Sequence, residues 1–518
     1  MIAASTTTFV ILVVAVAVFI SNKLPPSVVA VAVALALYLT GVLTLGQTVA
    51  GFGDPLIVYI ASLFVVSEAL DATGVTAFAG QQLMARTGTR PRSVVLGLMI
   101  LVAVLTAIIS VNGSVAALVP VGVILATRIR RAPSKLLMPM AFAAHAGSLL
   151  TLLGSPINLL VSEVSQDAGA RPFGFFEFAL AGIPLVVGTF AINLFLGPKV
   201  LPERIPRDAP NDLSQYAELM AREYDLADED AAVSYHEGLN EIVIPPRSSF
   251  IGEHVYVGMP LQGDELFVVA LRRGGSALES ATLQAGDILV VRGGWSALDE
   301  HLGDADVVSV AEPQEVRRQS GRFGRRTYLT LAVVVPMCVL LVVGAAPPAI
   351  VVLAAAVLLV ALQALTREQA QSAIQLPTLI TIAGMIPLST AIQTSGAADQ
   401  ISSRLVTTFG DSPRLLLIAV VVVVLILGQF ISNLATALIV APIAIAVSQT
   451  THTSPLPMLM AIAVAAAAAF LTPVATPANL MIQEPAGYRF GDYWRLGLPN
   501  LILFGLVAAF LVPVIWPF

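Results

Sequence analysis

"GSPINLLVSE" (Gly154–Glu163) and "ATPANLMIQE" (Ala475–Glu484) lie in apolar parts of the chain and match in register, since 475 − 154, 479 − 158 and 484 − 163 all equal 321. Each copy interrupts its apolar run with a proline and an asparagine. Backbone that leaves the helix at membrane depth exposes N–H and C=O groups that lipid cannot satisfy, so such loops persist only where they line a cavity or hold something. A loop of this kind repeated at one spacing points to a duplicated unit with a shared site.

The surrounding composition sets the class. Of 518 residues, 57% are hydrophobic and 12% charged, and the mean hydropathy is +0.87, far from a soluble average. Apolar runs near the roughly 20 residues that cross a bilayer fall at 8–22, 26–45, 55–71, 178–198, 327–345, 348–365, 373–394 and 496–515. The first run has neither a preceding basic residue nor a small-residue cleavage site and reads as a retained helix. Cys338 is the single cysteine; it excludes an intrachain disulfide and a cysteine-based metal site.

Charge then orients the chain. Residues 200–326 carry most acids and many arginines and read as aqueous. "RIRRAPSK" (128–135), Arg86, Arg90, Arg92, Lys23 and the arginines around that stretch fit on one face, leaving only Arg171, Arg404 and Arg414 of the 27 basic residues on the other. The positive-inside rule makes that face cytoplasmic, with residues 206–326 inside and the chain a multi-pass protein of the cell membrane.

With an outside N-terminus, three spans lead to Arg86–Arg92. The stretch 93–127, broken at "SVNGS" (110–114), then enters and leaves by the same face, full spans being the alternative. The stretch 139–167 crosses outward, broken at the Gly154 loop, and 178–198 returns. The order recurs with a hairpin at 414–448 broken at "ISNLAT" (431–436) and a crossing at 457–484 through "TPVATPAN". An odd number of crossings per half inverts the second half. Pro120 to Asn158 spans 38 residues and Pro442 to Asn479 spans 37, and "EFALAGIP" (177–184) matches "DYWRLGLP" (492–499). The expected fold is an all-α polytopic membrane protein of two inverted-topology repeats, each with a re-entrant hairpin and a broken helix, plus a small α/β cytosolic domain. Membrane half one covers 1–205, an acidic linker 206–232, the soluble domain 233–312 and membrane half two 313–518.

The four breaks are rich in neutral oxygens. Ser110, Asn112, Ser155 and Asn158 in half one, and Ser432, Asn433, Thr476 and Asn479 in half two, are the candidate sodium ligands, through the loops at Gly154 and Ala475; hard cations take oxygen ligands, and divalent ions usually bring carboxylates. No Lys or Arg falls in the breaks, so an anion would meet hydroxyls, amides and helix N-termini. Its candidate contacts are Ser110, Asn112, Ser114, Ser432, Asn433 and Thr436. His145 is a candidate proton or substrate group, against a purely structural hydrogen bond. Glu68 and Asp71 read as solvated or capping; Glu163 and Glu484 either orient the loops or reach the interface. The breaks contain no Ser–His–acid or metal-ligand set, so the chain is not expected to be an enzyme or to need a cofactor other than the coupling ion.

At these residues the chain resembles the divalent anion:sodium symporter family of the ion transporter superfamily. That family carries a Ser-Asn-Thr triplet at each hairpin tip, eight residues before a proline; the matching triplets here are "SVN" (110–112) and "SNL" (432–434). Leu434 replaces the second threonine, and Val111 with Asn112 replaces the first Asn-Thr, which puts the family's substrate contacts in question; Ser114 and Thr436 are the substitutes. The resemblance implies sodium-coupled import of a small divalent anion, sulfate first and a dicarboxylate next, by elevator-like alternating access on a homodimeric scaffold in lipid. An efflux permease, for arsenite or sodium/proton exchange, and a proton-coupled anion carrier are the alternatives. A membrane sensor would need an output segment, and none is visible.

"NEIVIPP", "ELFVVALRRGG" and "GDILVVRGG" are strand-like, and with "SSFIGEHV" resemble a TrkA C-terminal (RCK_C) domain, which implies a cytosolic small-molecule ligand of 233–312, a dimer contact or an inherited structural role. Arg272 and Arg273 are candidate contacts for an anionic ligand. No phosphate-binding glycine loop supports a nucleotide, and no nucleic acid is expected.

Overall fold

The computed structural model describes residues 2–21, 23–76, 78–79, 82, 90–204, 237–261, 266–294, 297–298, 306–309, 324–409, 412–473 and 475–518. Arg86, the acidic linker 206–232 and Val474 of the second loop lie outside the described residues. The chain divides into two compact units, one of Met1–Asp71, Ala79–Pro210 and Arg326–Phe518, the other of Ala72–Phe78 and Asn211–Arg325.

The first unit is helical. Half one supplies α1 (Ile2–Ser21), α2 (Pro26–Leu39), α3 (Pro55–Ala72), α4 (Pro91–Thr106), α5 (Val111–Arg128), α6 (Leu137–Gly147), α7 (Pro156–Asp167) and α8 (Ala179–Val200). Half two supplies α9 (Arg325–Val343), α10 (Pro348–Ala361), α11 (Leu376–Thr394), α12 (Ala397–Phe409), α13 (Pro413–Leu427), α14 (Asn433–Thr450), α15 (Leu456–Ala466), α16 (Pro477–Met481) and α17 (Tyr493–Leu506). Among the described residues, six helices are long and apolar enough to cross a bilayer: Leu45–Ala72, Ala179–Val200, Arg325–Val343, Leu376–Thr394, Asn433–Thr450 and Phe490–Ile515. Shorter apolar helices, α2, α4 and α15 among them, accompany these. Exposed Leu39, Val187, Phe195, Val343 and Val514 give the bundle an apolar outside, as expected where the solvent is lipid.

Local sequence explains the element starts. Pro25 and Pro347 precede helices whose first residue is Pro26 or Pro348; proline's missing N–H costs nothing at that position. Thr44 with Gln47 and Thr366 with Gln369 form reciprocal capping boxes on short helices, Leu45–Val49 and Arg367–Ala373. Both pairs are related by 322 residues (366 − 44 and 369 − 47).

Two glycines decide how closely α8 and α17 approach the broken helices. A Cβ on Gly182 would lie 2.1 Å from the Leu149 carbonyl oxygen, and one on Gly497 would lie 2.3 Å from that of Phe470. These are the glycines of "EFALAGIP" and "DYWRLGLP", so those blocks match because each brings a helix against a break.

In the second unit, an antiparallel sheet has the order β3 (Pro260–Leu261), β4 (Leu266–Arg273), β7 (Ile288–Gly294), β1 (Glu237–Val243), β8 (Val308–Ser309), with β5 (Ser276–Leu278) on β4. β2 (His254–Tyr256) pairs with β6 (Ser280–Thr282). Ile242, Val268, Leu271, Leu289 and Val291 form its core together with the helical residues Ala297 and Leu298. Arg273 corrects the expectation of an anion contact there. Its Nε and Nη2 each donate over 2.6 Å to the Asp287 carboxylate, and Nη2 also donates to the Thr282 carbonyl at 2.7 Å. Asp287 is 1% exposed, so the guanidinium is committed to a buried partner. Arg272 donates to the Gly275 carbonyl at 3.3 Å.

Candidate functional site

Each half builds the same two interruptions. In half one, α4 ends at Thr106 and α5 begins at Val111; in half two, α13 ends at Leu427 and α14 begins at Asn433. Ser110 Oγ accepts from Gly113 N–H at 3.2 Å, and Ser432 Oγ accepts from Ala435 N–H at 3.3 Å. Both serines therefore cap a helix start, where an orphan donor is otherwise left unpaired. One turn on, Ser114 and Thr436 are fully buried, and neither hydroxyl has a hydrogen-bond partner; the Asn433 Oδ1 is also buried without one. Asn112 is half-buried beside them in the first turn of α5.

The second interruption separates α6 from α7 and α15 from α16. Ser155 and Thr476 cap the restarting helices, accepting from Ile157 N–H and Asn479 N–H, each at 3.3 Å. Asn158 Nδ2 donates to the carbonyls of Ser148 and Thr151, both at 2.8 Å; Asn479 Nδ2 donates to those of Ala469 at 2.8 Å and Thr472 at 3.1 Å. The offset is 321 for all three positions (479 − 158, 469 − 148, 472 − 151). Carbonyl oxygens only accept, so these contacts fix which end of each amide is NH2. The opposite ends, Asn158 Oδ1 and Asn479 Oδ1, are buried and unpartnered.

A buried acceptor without a donor is costly. Among the described residues, five occur at these breaks, on Ser114, Asn158, Asn433, Thr436 and Asn479, and all five are residues that the sequence nominates as ligands. An oxygen-rich, uncharged set of this kind suits a monovalent hard cation, and its hydroxyls and helix N-termini also suit an anion.

Packing brings the breaks of one half to the hairpin of the other. α7 lies on α14 and α15, and α16 lies on α5 and α6. His145, 2% exposed in α6, joins the halves directly, with Nε2 3.3 Å from Thr476 Oγ1. Its ring stands edge-on to Phe470, centroids 5.6 Å apart. Glu163 is half-buried and Glu484 exposed, while Glu68 and Asp71 lie half-buried in the last turns of α3.

Several supports are absent from the nominated set. Thr151 Oγ1 donates to the Ala107 carbonyl at the hairpin turn, and Thr472 Oγ1 donates to the Gln429 carbonyl at 2.9 Å in the other half. Gln429 also donates to the Ala468 carbonyl at 2.8 Å and accepts from Leu471 N–H at 3.0 Å. Hairpin and broken helix are thereby tied within each half. Tyr493 Oη donates to the Asn479 carbonyl at 2.7 Å. The common offset of Thr151 and Thr472 was a usable signal; Gln429, which has no polar counterpart at Ala107, left none.

The model of the citrate transporter family (CitMHS) matches residues 16–347 and 338–518. The chain belongs to the citrate transporter family. It is similar to the uncharacterized transporter YfbS of Escherichia coli, at 28% identity with 98% of each chain covered. A probable sodium/sulfate cotransporter 3 of Chlamydomonas reinhardtii is 28% identical over 47% of this chain and 28% of its own. Among solved structures, the YdaH transporter of Alcanivorax borkumensis matches with a TM-score of 0.51 at 14% identity, over 93% of this chain and 88% of that one, which shows a shared fold. As a citrate transporter family member with several apolar helices, the chain is a multi-pass membrane transporter and not an enzyme.

Proposed function

We propose that the protein is a secondary transporter that couples import of a small divalent anion to sodium, with sulfate as the first substrate and a dicarboxylate next. The observation that carries this reading is the pair of clamped asparagine amides, which present unpartnered Oδ1 atoms in equivalent loops of both halves. Each Oδ1, with its capping hydroxyl, Ser155 or Thr476, supplies one side of a sodium site. The hairpin residues Ser110, Asn112, Ser114, Ser432, Asn433 and Thr436 supply the anion contacts and share in cation binding. Neutral donors without an arginine clamp fit a small anion whose charge is balanced by the co-bound cation and by helix N-termini.

In this reading the halves are inverted repeats and the hairpins are re-entrant. Sodium orders the loops first, the anion follows, and the tied hairpins and broken helices move as one body against a dimeric scaffold that includes α2 and α11. Residues 206–326 are cytoplasmic, and the sheet unit is a regulatory TrkA C-terminal-like domain. The relatives' sodium and sulfate labels support this assignment at low identity.

Uptake of labelled sulfate and labelled succinate into liposomes containing the purified protein, with and without an inward sodium gradient, tests the proposal. Sodium-driven uptake of either anion is expected. Uptake of neither would contradict it and favour the second reading, a proton-coupled carrier or efflux permease, for which His145 bound to Thr476 is the specific observation.

A further inference from the structure

Away from the breaks, a cavity of about 450 Å³ opens among the ends of α4, α5 and α8 and the turn before α6. Four cationic side chains, Arg90, Arg92, Arg131 and Lys135, and one carboxylate, Glu203, border it, although its wall is almost wholly apolar. Glu203 stands 3.6 Å from both Arg131 Nη1 and Lys135 Nζ, and Lys135 also donates to the carbonyls of Pro198 at 2.9 Å and Leu201 at 2.6 Å. Arg90 and Arg92 are exposed and have no carboxylate partner among the described residues. The cavity thus keeps an excess of positive charge that its own acid does not neutralise.

The remaining lining is of a different kind. Val95, Ile129, Leu136 and Leu194 give it an apolar wall. Asn193, 1% exposed, also lines it; Nδ2 donates to the Thr189 carbonyl at 2.8 Å, and Oδ1 is buried with no partner. Beside this wall, α8 presents Val187 and Phe195, and α4 presents Ile100 and Val104, to the outside of the bundle. Those are surfaces that lipid chains cover in a membrane protein.

We propose that this cavity is a binding site for an anionic phospholipid. Arg90 and Arg92 hold the phosphate, and the first part of an acyl chain follows the apolar wall onto α4 and α8. A free phosphate would use the arginines but leave the wall against water; a zwitterionic lipid would bring a second cation to a site already rich in them. The charge excess and the apolar wall together select a headgroup that is anionic and still attached to its chains. The site depends on the membrane location alone and not on the proposed substrate or coupling ion.

The test uses the full-length protein in neutral detergent, with binding of phosphatidylglycerol followed by native mass spectrometry and by thermal stabilisation, and with phosphatidylcholine and inorganic phosphate as comparisons. Wild type is expected to retain phosphatidylglycerol over phosphatidylcholine and to be unmoved by millimolar phosphate. The Arg90→Gln/Arg92→Gln variant should bind phosphatidylglycerol on the order of 25-fold more weakly, at roughly fivefold per cation removed. Arg90→Lys/Arg92→Lys, which keeps the charge, should bind within a few-fold of wild type and so controls for folding. Equal retention of both lipids, unchanged binding by the glutamine variant, or displacement of the lipid by inorganic phosphate would each overturn the proposal, the last in favour of a free-anion site.

Discussion

His145 Nε2 and Thr476 Oγ1 lie 3.3 Å apart although 331 residues separate them in the chain. The contact joins α6 of half one to the cap of α16 in half two, so the orientation of the Thr476 hydroxyl is set partly by the opposite half. His145→Ala removes that partner and leaves a buried hydroxyl with one contact fewer. A neutral hydrogen bond of this kind is worth about 1 kcal/mol, a factor of roughly five in affinity. Sodium dependence of uptake should therefore shift to about fivefold higher concentration in His145→Ala and less in His145→Gln, which can still hydrogen-bond. An unchanged sodium dependence in the alanine variant would remove His145 from the site.

The amide clamps predict a difference between two small substitutions. Asn158→Asp puts acceptors against the Ser148 and Thr151 carbonyls, and Asn158→Ala removes their donor. Leaving a buried carbonyl unpaired costs about 1–3 kcal/mol. The aspartate variant should melt below the alanine variant, and both below wild type, in detergent at neutral pH. Asn479 should show the same order with Ala469 and Thr472 as the deprived carbonyls. An aspartate variant as stable as wild type would mean that the amide orientation is wrong.

At Gly182 and Gly497 the obstacle is backbone, which cannot swing aside. Gly182→Ala or Gly497→Ala should destabilise by about 1–3 kcal/mol, seen as a lower melting temperature and a smaller monodisperse fraction in size-exclusion chromatography. Gly46→Ala, where a Cβ meets nothing within 4 Å, is the control. Equal behaviour of all three would refute the close packing of α8 and α17 on the breaks.

In the sheet unit, Arg273 hydrogen-bonded to Asp287 holds that carboxyl below its ordinary value of 3.8 despite its burial; the Gln284 N–H contributes as well. A depressed folded-state value means that the pair's stabilisation is present above 3.8 and is lost as pH falls below it, through the folded-state value. Hydrogen exchange around Thr282–Ile288 should accelerate over that acid range in wild type. Asp287→Asn should exchange faster already at pH 7, with little further dependence on pH in this window. A pH-independent profile in wild type would show that the pair does not stabilise the turn.

Much of the helical layout is legible in the sequence because lipid imposes it. The polar breaks at Ser110, Gly154, Ile431 and Thr476 lie next to the observed helix starts, since interrupting a helix in hydrocarbon needs residues that show, and the first two apolar runs, 8–22 and 26–45, each miss one helix end by six residues. The amphipathic α12 and the capped helices at Leu45 and Arg367 are not apolar runs and escape that reading. The same holds for cross-links such as Gln429 to Ala468, or Tyr493 to Asn479, whose meaning lies in the partner. Arg273 is a further case, because its partner Asp287 meets it only across the sheet. Asn158 and Asn479 were visible as a repeated pair, but the direction of their amides depends on four carbonyls that only folding assembles.

In the proposed function, Asn158 Oδ1 and Asn479 Oδ1 bind the coupling ion. Sodium-dependent uptake of labelled sulfate in proteoliposomes, titrated over sodium concentration for wild type, Asn158→Ala and Asn479→Ala at matched amounts of folded protein, probes that binding. Saturable sodium dependence in wild type and its loss in both variants is the predicted result. Normal sodium affinity in both variants would contradict the claim.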